Sequence, residues 1–439
     1  MNKIQIGLFC AFVSTAFAQV GGYLGPGVLS SGAGTIGTRS GQQVDLRFFA
    51  DVSGVYDTGY QPYEVDSKGN LVTINGLYGV QLDGGAYGTH SWRTAQLGLD
   101  YSGSFYDYTN ATKYDGSMQS LAFGYTYQKS RRLSFDFRQI GGLSTINFAS
   151  PVYLETPTSF VGQPTSAIFD SRFYYLQSSA DMNIITSART TFTIGGDGYW
   201  VRYSGQGLAN LNGYNLRGEV QHRLSRTKTI GFIYERLHND FAPAFGHSDI
   251  NVGEGFYSTS LGRRWTFAIN GGVFQSEVSG IQQVTLNPVL AALLGETTGT
   301  AAFYREDIYP SGSVNLTGKL KNSSLTLAAG EHVSPGNGVY LTSRMESGTL
   351  SYSYTGIKKW NFAIYGGYFK LAAIGQHLQD YSTWNGGANA SYGLTRSFHL
   401  VARFDARDQQ IHIVGYKNQG YRTTLGIAWS PGDVPLSLW

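Results

Sequence analysis

Cysteine is almost missing from this chain. The only one, Cys10, lies in the first eighteen residues, so the remainder has no thiol for a disulfide or a thiolate metal centre. Charge is scarce too. Asp, Glu, Lys and Arg make up 14 % of the residues, against ~25 % in ordinary soluble domains. The formal charge of +3, or +2 without Lys3, is too small to imply a nucleic-acid partner. Long apolar runs are also lacking. Beyond Ala18 none approaches the ~18 residues of a spanning helix, which excludes helical membrane spans. No cofactor motif or metal-ligand spacing is present. None of the eight histidines falls in a catalytic motif, so no enzyme is expected.

What is abundant is glycine (58), tyrosine (31) and phenylalanine (25). With a slightly negative mean hydropathy, this composition suits a wall with one apolar and one polar face. The start reads as a signal peptide over 1–18. Lys3 is the basic flank, an uncharged apolar run follows, and Ala16-Phe17-Ala18 is the small-x-small cleavage pattern. Leu8-Phe9 before Cys10 is a poor lipidation box. Residues 19–43 are expected to form a Gly-rich periplasmic segment, 44–430 a barrel, and 431–439 a tail.

A repeated unit fills most of the chain: an alternating strand of about a dozen residues, a tight polar turn, a second strand, then a longer loop. Tight turns are read at 88–92, 127–133, 185–191, 224–230, 261–265, 320–325, 355–360 and 394–398. The strands have period 2. Leu97, Leu99 and Tyr101 oppose Gln96, Asp100 and Ser102, and Phe398, Leu400 and Phe404 oppose His399, Arg403 and Asp405. The strands exceed the 5–6 residues typical of soluble sheets and meet the ~9–11 that cross a bilayer. Aromatics such as Tyr127, Trp265, Trp360, Phe398 and Trp429 border the turns, as in an interfacial girdle. The pattern predicts an all-β fold, a transmembrane antiparallel up-and-down β-barrel of 16–18 strands, best read as 18, with short periplasmic turns.

The Tyr-x-Leu-(Ser/Thr)-Arg turn (Tyr392-Gly-Leu-Thr-Arg396, with His222-Arg-Leu-Ser-Arg226 close to it) followed by an aromatic or aliphatic strand, within a pattern over about 90–430, resembles a group of outer-membrane β-barrel porins associated with exopolysaccharide export. The terminal Trp439 resembles the aromatic signal read by the barrel assembly machinery, although Pro431 and Pro435 depart from its usual strand. The resemblance implies an outer-membrane pore and, as an alternative, a polysaccharide duct. A structural or adhesive barrel with a closed lumen is a third reading.

The expected inward, lumen-lining residues are Asp45, Arg47, Asp51, Asp100, Asp136, Arg138, Asp181, Arg217, Glu219, Arg223, Lys319, Arg403, Asp405, Arg407 and Arg422. This set is nearly balanced in charge. Arg47, Arg403, Arg407 and Arg422 fall on strands that closure makes neighbours. They form either a basic stripe or pairs with Asp45, Asp51 and Asp405. A loop at 279–305 carries a helix-like segment with Asn287 as cap and Pro288 at the first turn, then Leu290, Leu293 and Leu294. It is expected to dock in the mouth and constrict it. Loop 149–170 is a second lid candidate. Basic residues crowd the tight turns, Arg131, Arg132, Arg263, Arg264, Lys358 and Lys359 among them. They cap strand ends near lipid headgroups. The expected partners are outer-membrane lipid, the assembly machinery, and small hydrophilic solutes or polysaccharide.

Overall fold

The structure, a computed structural model, describes residues 43–430 except 59–62, 66–70, 74–75, 110–114, 146–171, 205–207, 243–245, 286–296, 336–337, 377, 379 and 412–415. The signal-peptide, Gly-rich and tail segments read from the sequence lie outside these residues, as does loop 149–170.

The chain runs through β1 (Gln43–Asp57), a short pair β2 (Tyr63–Val65) and β3 (Leu71–Thr73), β4 (Leu77–Ser91), β5 (Ala95–Tyr108) and β6 (Gly116–Gln128). Next come β7 (Leu133–Thr145), β8 (Arg172–Ile185), β9 (Thr190–Tyr203), β10 (Asn210–Arg223), β11 (Lys228–Ala242) and β12 (Gly246–Leu261). The long hairpin β13 (Trp265–Thr285) and β14 (Thr298–Lys319) precedes β15 (Ser323–Ser334), β16 (Ser343–Ile357) and β17 (Trp360–Ala373). The last strands are β18 (Tyr381–Gly393), β19 (Phe398–Ile411) and β20 (Tyr416–Trp429). All but β2 and β3 form one 18-stranded antiparallel sheet, which closes where β1 pairs with β20. Closure joins the two ends of the sheet along Ala50–Asp57 and Arg422–Trp429.

Alternation sends one set of side chains out and the other in. Val52, Leu82, Leu99, Leu121, Ile194, Leu216, Phe232 and Leu425 stand exposed on the outer face. Two aromatic rows bound them. Tyr127, Phe192, Trp360, Phe398 and Trp429 lie near the short turns, and Tyr56, Tyr78, Tyr174, Trp200, Tyr214, Tyr234 and Tyr421 lie toward the other rim. In β9 and β20 the rows are eight residues apart (Phe192 to Trp200, Tyr421 to Trp429). At ~3.4 Å per residue and ~40° tilt, that separates the rows by roughly 20 Å.

The connections 129–132, 186–189, 224–227, 262–264, 320–322, 358–359 and 394–397 all lie at one rim. Gln43 pairs with Ser91 and Trp429 with Phe398, so the barrel's first and last strands meet that rim as well. Two sequence expectations need correcting. The first turn is not 88–92: β4 continues to Ser91, and the chain reverses at 92–94, where the Trp92 N–H donates to the Ala95 carbonyl at 2.8 Å. Polar strand residues there resemble a turn, but His90 packs edge-on against Trp92, 4.2 Å between ring centres. The second is the 279–305 loop. The β13–β14 ladder continues to Thr285↔Thr298, so both flanks of that loop are strand. The β-branched Ile281, Val284 and Thr285 favour extended backbone and carry the ladder past the Ser279-Gly280 step. Pro310, which has no N–H, lies just beyond the last β14–β15 pair, Gly312↔Glu331, so the upper hairpin leaves the wall there.

Large inner side chains are accommodated by glycine. A Cβ on Gly231 would collide with the Phe256 ring and the Val220 carbonyl, so bare backbone is what allows that ring to lie across β11.

Candidate functional site

The inner face is the candidate site, and its residues are set by strand register. Asp45 and Arg47 pair through the backbone with Thr89 and Tyr87, but their side chains lie outside the described residues. Asp51, 3 % exposed, accepts from the Ser53 hydroxyl at 2.6 Å. Asp100 is buried within the field of Arg138. Asp136 accepts from Thr126 Oγ1 at 2.6 Å and Asn183 Nδ2 at 2.7 Å. Arg217 binds Asp181 at 2.5 Å, and Glu219 lies in the field of the same pair.

On the opposite wall Arg403 holds Asp405 through two contacts, 2.6 and 2.9 Å, and donates to Tyr365 Oη at 3.1 Å. Arg422 donates to Gln81 and lies over the Tyr106 ring, 5.0 Å from its centre. Arg407 pairs in register with Asn385 and Gly420. Arg403 and Arg422 are thus each held by their own partners, while register alone places Arg407 beside them.

The expectation of near-balanced charge is corrected. Asp57, Asp83, Asp197, Glu235 and Glu254 also face inward. With them, acids outnumber basic residues on the described inner face. Asp83 and Asp197 fall in 71–87 and 191–203, whose glycines blur the period-2 signal. Glu235 and Glu254 lie in regular strands, and the alternation around Phe232 and Tyr234 would have exposed them.

Asn287, Pro288, Leu290, Leu293 and Leu294 lie outside the described residues. A different connection folds into the mouth. Residues 338–342, between β15 and β16, carry Tyr340 (1 % exposed) and Leu341 (3 %). Leu341 joins an apolar cluster with Ile140, Tyr175, Tyr199, Val201, Leu211 and Phe241 on the inner faces of β7–β11. In the ring β16 is six places from β10, a third of the circumference. Polar contacts fix the crossing. The Ala209 N–H donates to the Gly338 carbonyl at 2.8 Å, and Thr342 Oγ1 donates to Ser248 Oγ at 2.7 Å. Ser248 accepts in turn from Asn239 Nδ2 at 3.0 Å, and Asn239 Oδ1 accepts from Tyr199 Oη at 2.5 Å. The Ile374 N–H donates to the Thr342 carbonyl at 2.9 Å, and Ile374 packs with Leu237, Ile250, Phe274 and Val278. The sequence signal was the apolar triplet Val339-Tyr340-Leu341 after Gly338. It obeys the same exposure argument that singled out 287–296.

No protein-family model and no curated protein matches the chain. Among solved structures it is similar to OccK2 of Pseudomonas aeruginosa, with 9 % identity over 88 % of this chain and 98 % of that one at a TM-score of 0.42. A BenF-like porin from Pseudomonas fluorescens Pf-5 shares 9 % identity over 88 % and 99 % at 0.42. The unliganded ferric citrate transporter FecA shares 12 % over 87 % and 63 % at 0.45. This is a likeness of barrel architecture that carries nothing about cargo. The resemblance to exopolysaccharide-export porins gains no support from it.

Proposed function

We propose that this chain is an outer-membrane channel for passive diffusion of small hydrophilic solutes. One observation carries the reading: the barrel is inverted relative to a soluble one. Its outer face is apolar between two aromatic rows, and its inner face is lined by carboxylates, arginines and amides. Lipid outside and water inside satisfy both faces. The row spacing of roughly 20 Å approaches the ~25 Å apolar band of such barrels. In this reading the short-turn rim faces the periplasm, with exposed Arg131, Arg132, Arg263 and Arg264 near headgroups. A cleaved 1–18 segment would export the chain. The 338–342 crossing narrows the opposite mouth.

Single-channel recording of refolded protein in planar bilayers tests the reading. Stepwise ohmic conductance is expected. A barrel that folds and inserts without conducting would be the closed-lumen alternative. Surface labelling gives the orientation: tags after Ser225 or Gly262 should stay hidden on intact cells, and a tag inserted between Thr285 and Thr298 should be labelled.

A further inference from the structure

The inner wall from β8 to β11 holds three carboxylates and two buried amides. Asp181, Asp197 and Glu235 gather around the guanidinium of Arg217, and Arg138 on β7 also lies in the field of Asp181 and Asp197. Arg217 bonds Asp181 at 2.5 Å, lies opposite Glu235 in the ladder, and is within the field of Asp197. Two amides complete the group. Gln177 is 8 % exposed and Asn215 2 %. Gln177 Nε2 donates to Asp197 at 3.4 Å, and Asn215 Nδ2 donates to Glu235 at 3.5 Å. Each amide thus turns its donor toward a carboxylate. Their oxygens, Gln177 Oε1 and Asn215 Oδ1, meet no donor among the described residues. Asp197 and Asn215 are directly opposed, so the two halves of the group are adjacent, ~5 Å apart at Cβ.

Two buried amide oxygens without a donor, set amid carboxylates, complement a particular chemistry. An ammonium brings three N–H donors, a positive charge and no acceptor. A polyhydroxyl solute would bring acceptors the wall does not need, and an anion would meet the carboxylates. A resident metal is not indicated, because no group of three or more acid or histidine side chains among the described residues could hold one. The Asp181 and Arg217 side chains, 23 % and 27 % exposed, reach the lumen surface and form the approach.

The geometry points to an amine-binding subsite on the lumen wall, formed by Gln177, Asp197, Asn215 and Glu235, that takes the primary ammonium groups of solutes in transit. It names a solute class for the proposed channel and rests on that reading.

Calorimetric titration of the full-length barrel, refolded in neutral detergent, tests it with putrescine as probe and 1,4-butanediol as the uncharged control. Saturable binding of the diamine alone is expected. Gln177→Met and Asn215→Leu keep size and net charge but remove the free oxygen and its amide. Each should weaken binding at least tenfold, with folding checked by heat-modifiable gel mobility. Should Asn215→Leu fail to fold, Gln177→Met carries the comparison. Absence of saturable heat with putrescine, or equal affinity in the folded variants, overturns the subsite. It would mean that lumen water or a carboxyl proton satisfies the amides. A barrel that binds putrescine but does not conduct breaks the channel reading and leaves the subsite. One that conducts without binding putrescine loses the subsite alone.

Discussion

Leu341 is where the mouth can be unlatched. Its side chain is 3 % exposed within the β7–β11 cluster. Burying it stabilises the crossing by ~1.5–3 kcal/mol. The Thr342–Ser248 and Ala209–Gly338 bonds add ~0.5–1.5 kcal/mol each. Together the local hold is about 3–6 kcal/mol. Leu341→Ala removes ~2–5 kcal/mol when the cavity is included, at least half of that hold in the middle of the range. A loss near 3 kcal/mol raises the unlatched population about a hundredfold, at ~1.4 kcal/mol per tenfold. Leu341→Asp should release the crossing entirely, because its carboxylate would have no partner in the cluster. The strand ladder is untouched, so both variants should fold. In single-channel recordings, Leu341→Ala should show frequent steps to a higher conductance level, and Leu341→Asp should stay there. Leu425→Ala, on the outer face, is the control and should match the wild type. If both Leu341 variants fold and give wild-type levels and noise, residues 338–342 do not restrict the path.

Further outcomes follow from the same geometry. Leu425→Arg places a charge on the outer face and should cost ~2–4 kcal/mol in urea titrations from phospholipid vesicles, while Thr424→Arg, turned inward, should cost far less. Arg217→Met removes the guanidinium bonded to Asp181 and opposite Glu235, leaving Arg138 as the nearby cation for Asp181 and Asp197. The potassium-to-chloride permeability ratio, read from the reversal potential in a salt gradient, should rise, and stability should fall by up to ~3–5 kcal/mol where lumen water does not relieve it. Lys359 sits at φ 69° in the two-residue turn between β16 and β17. Lys359→Gly should therefore stabilise the barrel by about 1 kcal/mol in the same titration. Gly231→Ala should destabilise it by ~1–3 kcal/mol as the Phe256 ring is forced aside.

The strands were legible because period-2 alternation is a local property. Leu99 against Asp100, or Phe404 against Asp405, declares its face without knowledge of any neighbour. The turns were legible for a similar reason: polar basic residues interrupt the alternation. Partnerships were not legible. Arg217 meets Asp181 across thirty-six residues, and nothing near either residue specifies that register. The inward loop was missed on a question of scale. Segment 287–296 carries a helix signature, while Val339-Tyr340-Leu341 is only three residues long. Yet a short connection is buried as readily as a long one when the opposite wall offers an apolar surface.

The β1–β20 seam has a consequence for how the molecule is made. It pairs Ala50 with Trp429 and ends at Asp57↔Arg422, whereas β1 pairs with β4 from Gln43 to Asp57. The joint that turns a ribbon of hairpins into a tube is thus made by the two strands furthest apart in translation order, and β20 is the last to be synthesised. In the channel reading, until it forms two rows of bare amide and carbonyl groups would face hydrocarbon, each group costing several kcal/mol. A half-built ribbon therefore has no stable resting place in the bilayer. Insertion and closure must be one event, or the free edges must be shielded by another protein until Trp429 reaches Ala50.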